Sequence, residues 1–219
     1  MQLAVLNENT PTQPFPPLSS ALYEPNGLIA VGGCLSSERL INAYQHGVFP
    51  WFGEGDPILW WSPDPRLVLF PEKLQISKSL AKTLRQEKFA VTVNQAFDFV
   101  IAKCAELRVD AEGTWISDGI KNAYSQLHQE GVAHSFEAWR DGELVGGLYG
   151  VALGKIFFGE SMFHTVSDAS KIAFVHCIQH LKKLNFQLID CQVHSEHLVS
   201  LGAEEISRTE FSRLLKIYC

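Results

Sequence analysis

One stretch that mixes prolines with tryptophans, FPWFGEGDPILWWSPDPR (49–66), constrains the fold of this chain more than any other. It holds four of the ten prolines and three of the five tryptophans. Because proline lacks a backbone N–H and fixes φ, we expect neither a long helix nor a central strand here. Large aromatic rings on such irregular backbone need a surface to pack against, which is either the protein's own core or a bound ligand.

The character of the sequence changes after this stretch. Residues 1–65 are rich in proline, glycine and aromatic residues, and their one clear helical pattern is SSERLINAYQH, with Ser36 as the N-cap. Regular patterns follow from residue 66 onward. Helices are predicted at 77–88, 94–107, 117–131, 167–185 and from 207, and strands at 89–93, 134–140, 143–151, 155–163 and 186–193. An antiparallel meander, a crossing helix and another strand predict an α+β fold, with a small domain at 1–65 and a larger one at 66–219.

Composition narrows the class of protein. No apolar run approaches the roughly 18 residues of a membrane span, and the N-terminus does not read as a signal peptide. The five cysteines lack C-x-x-C spacing, which favours reduced thiols of a cytoplasmic protein over disulfides or a zinc site. The net charge of −6 gives no global positive field, so any nucleic-acid site must be a local patch.

Two acidic strand segments supply the candidate catalytic residues. Strand alternation in KIFFGESMF places Glu160 on one face with Phe158 and Met162. The same rule in LIDCQV places Asp190 beside Gln192, so the three polar side chains are expected in one cleft with apolar walls. Such a site suits an amine nucleophile, because carboxylates orient it, remove its proton and stabilise its cation. Solvated carboxylates at two strand ends remain the alternative.

The segment DCQVHSEH raises two further alternatives, a metal site and a thiol nucleophile. His194 and His197 share a face only if the segment is helical, and the H-E-x-x-H pattern is absent. Cys191 alternates away from Asp190, towards the core, where a thiol is inert. We therefore predict no metal and no cofactor.

A basic stripe and several tryptophans point to nucleic acid. Helical spacing aligns Lys78, Lys82 and Arg85, which suits contact with a phosphate backbone, although a solvated helix face is the simpler interpretation. Unpaired bases stack on aromatic rings. For the adjacent pair Trp60 and Trp61 we favour packing against the second domain instead.

The longer motifs together resemble one family. EPNGLIAVGG, GVFPWF, DPILWWSPDPR, EGTWI, AHSFEAW, LVGGLYGV, GESMF, ASK and LIDCQV occur in an order similar to that of the bacterial leucyl/phenylalanyl-tRNA–protein transferases, from about Glu24 to Gly202. The resemblance implies transfer of Leu or Phe, with Met as a third candidate, from aminoacyl-tRNA to proteins that begin with Arg or Lys, which marks them for N-degron degradation. It also implies that 66–219 is a Gcn5-related acetyltransferase-like (GNAT-like) domain with a mixed, mostly antiparallel sheet.

The resemblance further assigns roles to positions. It places catalysis on Asp190, Gln192 and Glu160, with Asp190 left open as a general base or an orienting group. The implied pocket for the aminoacyl side chain comprises Leu148, Phe157, Met162 and Ile189; the implied contacts to the tRNA's 3′-adenosine are Trp51 and Trp115, and those to its backbone are Lys78, Lys82 and Arg85. Two helix positions that are aromatic in some relatives, Cys177 and Leu181, depart from the pattern and bear on the preference for Leu or Phe.

Two rival functions remain. An acetyltransferase needs a glycine-rich phosphate turn between strand and helix, but MFHTVSDASK contains no glycine at this junction, so we expect no CoA. An RNA-binding module leaves the arrangement of Glu160, Asp190 and Gln192 unexplained. The expected partners are therefore Leu-tRNA, Phe-tRNA and acceptor proteins with N-terminal Arg or Lys. We expect no interaction with a membrane.

Overall fold

The computed structural model describes residues 3–109 and 115–219, with the side chains of 108 and 109 left out, so the EGT part of EGTWI lies outside the described residues. The first part of the chain forms a four-stranded sheet in the order β1-β2-β4-β3. Its strands are β1 (Ala4–Leu6), β2 (Leu28–Gly32), β3 (Phe49–Pro50) and β4 (Leu59–Trp61). Helix α1 (Ser37–Gln45) begins where predicted, because the Ser36 side chain accepts a hydrogen bond from Arg39 N.

The proline-rich stretch is more regular than predicted. It supplies β3 and β4, and β4 lies between two other strands, so the expectation of no central strand was wrong. The strand is only three residues long, and Pro57 and Pro63 stay outside it. Trp60 of β4 is fully buried, its ring lies edge-on to Phe15 and its Nε1 donates to Gly32 O at 2.8 Å. Trp60 therefore packs into the core. Its partners Phe15 and Gly32 belong to the first part of the chain, so its packing against the second domain stays a prediction.

A seven-stranded sheet forms the second part, in the order β11-β5-β10-β9-β8-β7-β6. The strands are β5 (Arg66–Leu69), β6 (Ala90–Val93), β7 (Ala133–Arg140), β8 (Glu143–Leu153), β9 (Ile156–His164), β10 (Leu188–Gln192) and β11 (Glu204–Ile206). The pair β9 and β10 is parallel and the other pairs are antiparallel. The predicted α+β class with a mixed, mostly antiparallel sheet is confirmed.

Helices cover both faces of this sheet. They are α2 (Lys78–Arg85), α3 (Phe97–Val109), α4 (Asp118–Gln129), α5 (Ala169–Lys183), α6 (Glu196–Val199) and α7 (Arg208–Tyr218). Residues of α5 pack on one face in a cluster that includes Phe157 and Ile189. The other face shares one core with α3, α4, α7 and the four-stranded sheet, through residues such as Phe158. The division into domains at residue 65 stays a prediction. Among the described residues, no helix is long and apolar enough to cross a membrane.

Two bulges interrupt the sheet at functionally interesting positions. In β9, Ser161 pairs with Tyr149 and Gly159 with Gly150, so Glu160 is an extra residue. Because a bulge reverses the alternation, Met162 packs on the same side as Phe157, and the predicted grouping of Met162 with Phe158 was wrong.

Strand β10 carries the second bulge. The register against β5 shifts between Asp190 and Gln192, and Gln192 has φ of 65°. A positive φ is uncommon for a residue other than glycine and marks a position that its surroundings hold in place.

Candidate active site

A buried ion pair anchors the site. Arg66 of β5 donates from Nε to Asp190 Oδ1 at 2.8 Å and from Nη2 to Asp190 Oδ2 at 2.7 Å. The guanidinium lies between the rings of Phe49 and Phe211, whose centroids are 4.8 and 4.6 Å from Cζ. Both charged side chains are essentially inaccessible to solvent. The pair therefore connects β3, β5, β10 and α7 at one point.

Asp190 in turn holds the next polar residue of its strand. The backbone N–H of Gln192 donates to Asp190 Oδ1 at 2.9 Å, which fixes the bulge. The side-chain amide of Gln192 donates from Nε2 to Glu160 Oε1 at 3.0 Å. A chain of hydrogen bonds thus runs from Arg66 through Asp190 and Gln192 to Glu160, and the structure brings together the three residues expected in one cleft.

Glu160 lies in a buried network of hydroxyl groups. The Tyr44 hydroxyl of α1 lies 2.7 Å from Oε1 and the Tyr124 hydroxyl of α4 lies 3.1 Å from Oε2, and the two hydroxyls also lie within hydrogen-bonding distance of each other. Each hydroxyl carries one proton, so all three bonds form together only when Glu160 is protonated and donates one of them. Burial raises the pKa of Glu160 to about 7, while the hydrogen bonds from both tyrosines and from Gln192 oppose that rise. Glu160 therefore changes its charge close to neutral pH.

One cavity, which we call the front cavity, lies on the α5 side of this network and has a volume of about 220 Å³. Its apolar walls include the four residues expected around an aminoacyl side chain, Leu148, Phe157, Met162 and Ile189, which the bulge at Glu160 brings to one side. Glu160 and Gln192 also line it. Asp190, Ser161, Ser195 and His197 line it too, so the cavity combines an apolar part with polar groups.

A second cavity, the tryptophan cavity, has a volume of about 100 Å³ and is lined by Trp51 and Trp115. It shares Glu160, Gln192 and Val193 with the front cavity, so the two meet at the polar wall. Trp51 is 45% exposed. Trp61 supports it, because its Nε1 donates to Trp51 O at 2.6 Å and the two rings meet edge to face. Trp61 therefore packs within its own sheet and against Trp51.

The basic stripe lies elsewhere. Lys78, Lys82 and Arg85 are all exposed on α2, and none of them lines either cavity. Helix α2 contacts α5, the helix that covers the front cavity. A long ligand is needed to touch both the stripe and the polar wall.

Sequence reasoning missed Arg66, Tyr44 and Tyr124. An arginine that opens the apolar run RLVL was a signal, because an isolated charge in such a strand needs a partner. The two tyrosines carried no signal, since aromatic residues on the inner face of a helix usually belong to the core. Tyr44 and Tyr124 differ from ordinary core residues because their hydroxyl groups form hydrogen bonds with Glu160.

The alternatives for DCQVHSEH receive no support from the described residues. Among them, no three His, Cys, Asp or Glu side chains are placed to hold a metal. His194 instead lies between Glu196 and Glu205, at 3.1 and 2.8 Å. Burial raises the pKa of the Cys191 thiol, so it stays protonated and inert.

Comparisons with known proteins identify relatives. A family model described as leucyl/phenylalanyl-tRNA protein transferase matches residues 68–216, and a model for the N-terminal domain of the same family matches 33–64. A leucyl/phenylalanyl-tRNA–protein transferase of Methylococcus capsulatus is 59% identical over 99% of this chain and 92% of its own length. The protein of that name from Nitrosospira multiformis is 60% identical over 92% of this chain and 87% of its own length.

Solved structures resemble the chain more distantly. A GCN5-related N-acetyltransferase from Kribbella flavida is 11% identical and has a TM-score of 0.40, covering 75% of this chain and 58% of that one. An aminoglycoside acetyltransferase from a soil metagenomic sample, in complex with sisomicin, is 12% identical with a TM-score of 0.41, covering 60% of this chain and 89% of that one.

Proposed function

The chain belongs to the leucyl/phenylalanyl-tRNA protein transferase family, and from this premise we propose that it transfers Leu or Phe from aminoacyl-tRNA to the N-terminal α-amine of proteins that begin with Arg or Lys. Met is a third candidate for the transferred residue. The modified proteins are thereby marked for N-degron degradation in the bacterial cytoplasm. One observation carries the proposal: an apolar cavity and a tryptophan-lined cavity meet at a wall formed by Glu160, Gln192 and Val193.

This geometry matches the 3′ end of a charged tRNA. The front cavity takes the apolar side chain, and the tryptophan cavity takes the terminal adenine, which stacks on Trp51 and Trp115. The ester bond between amino acid and ribose then lies at the polar wall. An apolar cavity discriminates by only about 1–3 kcal/mol per methylene, which is why one pocket accepts both Leu and Phe.

The reaction needs little acid–base power. An aminoacyl ester is already activated, and an α-amine has a pKa of about 7.7–8, so much of it is neutral at cellular pH. Holding amine and ester side by side supplies most of the rate gain. The amine nitrogen bonds to the carbonyl carbon, the ester C–O bond breaks, and one proton passes from the nitrogen to the departing ribose oxygen.

We assign the transfer of that proton to Gln192 and Glu160. Because Gln192 Nε2 donates to Glu160, its Oε1, which has no hydrogen-bond partner among the described residues, can accept from the incoming amine. Glu160, with a pKa of about 7, accepts the proton when the new bond forms and returns it to the ribose oxygen. In its charged form it also attracts the cationic acceptor terminus.

Asp190 has a different role in this scheme. Its carboxylate is occupied by Arg66 and by the backbone of Gln192 and is not exposed. We therefore assign it as a positioning residue that holds Gln192 at the wall, which is the orienting alternative and not the general base.

Acetyl transfer from CoA fits the fold less well. At the junction of β9 and α5, where a pyrophosphate would need free backbone N–H groups, Asp168 occupies the N-cap position. Its carboxylate lies 3.2 Å from Thr83 Oγ1 and 3.6 Å from Lys171 Nζ. A Cβ at Gly146 would lie 2.8 Å from Ala169 C, so β8 leaves little space there. A carboxylate in this position disfavours phosphate.

Transfer of labelled Leu or Phe from charged tRNA to a peptide beginning with Arg tests the proposal. We expect label in that peptide, none in the same peptide with an acetylated N-terminus, and none from labelled acetyl-CoA in a parallel reaction. Acetylation of the peptide, or no transfer from either donor, would contradict the proposed function.

A further inference from the structure

A third cavity lies behind the aminoacyl pocket. This rear cavity has a volume of about 140 Å³, and Phe157 is the residue that lines both it and the front cavity. The ring of Phe157 is 1% exposed and meets Phe136 edge to face. The ring therefore forms a partition between the two cavities.

The backbone of β8 makes room for this partition. A Cβ at Gly150 would lie 2.6 Å from Cζ of Phe157, so only glycine at this position lets the ring lie where it does. Ala152, the strand partner of Phe157, lines the rear cavity with a small side chain. The position of the ring and the free volume behind it thus both depend on small residues in β8.

The two cavities differ in chemistry. The residues of the front cavity near Phe157 are apolar, whereas Asn94, His134 and His180 line the rear cavity. Asn94 Nδ2 and His134 Nδ1 lie 3.0 Å apart, so an amide and an imidazole are already arranged as hydrogen-bonding groups. Leu181 also lines this cavity.

We propose that Phe157 sets the upper size and polarity limit of the transferred residue, and that the rear cavity, which its ring separates from the front cavity, is an extension of the pocket suited to a phenol. The inference rests on the proposed function. With the ring in place, the hydroxyl of a tyrosyl group ends against an apolar wall and loses its hydrogen bonds to water. With the ring removed, the same hydroxyl reaches the polar lining of the rear cavity, where it has partners.

Binding of stable amide analogues of aminoacyl-adenosine, measured by calorimetry, tests this limit. For the wild type we expect the phenylalanyl analogue to bind and the tyrosyl analogue to bind at least about tenfold more weakly. In Phe157→Ala, or in the milder Phe157→Leu, the ratio of tyrosyl to phenylalanyl affinity should rise about tenfold or more. The tyrosyl analogue itself should bind more tightly to the Phe157 variants than to the wild type, and general loss of structure does not produce such a gain.

Two variants distinguish loss of the Phe157 partition from a simple enlargement of the front cavity. Ile189→Ala trims a front-cavity wall that does not border the rear cavity, and it should leave the ratio low. Adding Ala152→Leu to Phe157→Ala refills the rear cavity and should return the ratio towards the wild-type value. An unchanged ratio in both Phe157 variants, or an equal rise in Ile189→Ala, would overturn the inference while leaving the proposed function intact. Failure of the wild type to bind the phenylalanyl analogue would overturn both.

Discussion

Arg66 and Asp190 form a bidentate ion pair, with N–O distances of 2.8 and 2.7 Å, that is closed to solvent on every side. The two residues are 124 positions apart in the sequence. The pair lies between two aromatic rings and fixes the backbone of Gln192 at the polar wall. The conformation of the wall therefore depends on a charge that does not itself contact the substrates in the proposed arrangement.

Removing one partner of this pair is expected to be strongly destabilising. Arg66→Met leaves a buried uncompensated carboxylate and should lower the free energy of unfolding by about 3–5 kcal/mol, measured in urea. Arg213→Met is the matched control, because Arg213 forms an equally bidentate but exposed pair with Glu210, and its loss should change the free energy of unfolding far less.

A double variant separates folding from catalysis. Arg66→Met with Asp190→Leu removes both charges, and it should recover much of the lost stability. Transfer activity should stay low, since nothing then holds Gln192. Full activity in this stable double variant would show that the pair serves the fold alone.

The pH dependence of transfer should report Glu160. Its pKa of about 7 in the substrate-free protein predicts that kcat/KM for aminoacyl-tRNA rises as pH passes through 7, because the charged form accepts the proton. In Glu160→Gln this ionisation should disappear and kcat should fall by about 100-fold. The matched control is Glu137→Gln, which changes a buried glutamate outside both cavities. A Glu160→Gln profile parallel to that of the wild type would contradict the assignment.

The same carboxyl group should make stability depend on pH. The pKa of Glu160 is raised on folding from 4.5 to about 7, so its protonated form stabilises the native state fully below pH 4.5, and this contribution is lost as pH rises to 7. Glu160→Gln does not titrate. Its stability relative to the wild type should therefore increase between pH 4.5 and 7, by on the order of 3 kcal/mol, and then stay constant. Urea unfolding at several pH values measures the difference, and a difference independent of pH would contradict the raised pKa.

Local signals in the sequence predicted most of the larger fold. Ser36 and Ser117 each cap a helix as predicted, the last helix begins beside the predicted Ser207, and Asp141 and Gly142 form the turn between β7 and β8. A predicted cap at Asn94 was wrong, because α3 begins only at Phe97 and Asn94 has φ of 60°. Of the short strands in the seven-stranded sheet, β6 was predicted, but β5 and β11 were missed, because three or four residues are too few for a period to be seen reliably. Strand β5 is also buried along its whole length, so it shows no alternation.

The site was harder to predict than the fold. Asp190 and Gln192 lie together as predicted, but a bulge between them, held by the hydrogen bond from Gln192 N–H to Asp190, interrupts the regular alternation. In β9 alternation failed, because the bulge at Glu160 moves Met162 to the other face. A single sequence does not show bulges, which depend on pairing between strands. The partners Arg66, Tyr44 and Tyr124 come from distant segments, and only the folded chain brings them to the two acidic residues.

Two tryptophans should contribute differently to donor binding. Trp51→Ala removes the exposed ring of the tryptophan cavity and should raise the KM for aminoacyl-tRNA by about tenfold or more, as base stacking contributes about 1–3 kcal/mol. Trp61→Phe keeps a ring but loses the hydrogen bond to Trp51 O, so its KM should rise less and its kcat should stay unchanged. Steady-state kinetics with varied tRNA measures both. An equal KM for aminoacyl-tRNA in Trp51→Ala and the wild type would show that the Trp51 ring does not bind the terminal adenosine.

The basic stripe on α2 should act through the tRNA backbone. Lys78, Lys82 and Arg85 are exposed, and within the described part of the chain no carboxylate pairs with them, so their charges are free for phosphates. If each contacts one phosphate, replacing all three by alanine should weaken tRNA binding and reduce the slope of log K against log salt by about 2–3. The control replaces Lys103 and Lys121, which already pair with Glu106 and Asp118, and should leave that slope unchanged. Equal slopes for the triple variant and the wild type would mean that α2 is a solvated helix face. The triple variant and the wild type should bind the small aminoacyl-adenosine analogues equally well. A loss of tRNA affinity in the triple variant can therefore be attributed to the body of the tRNA.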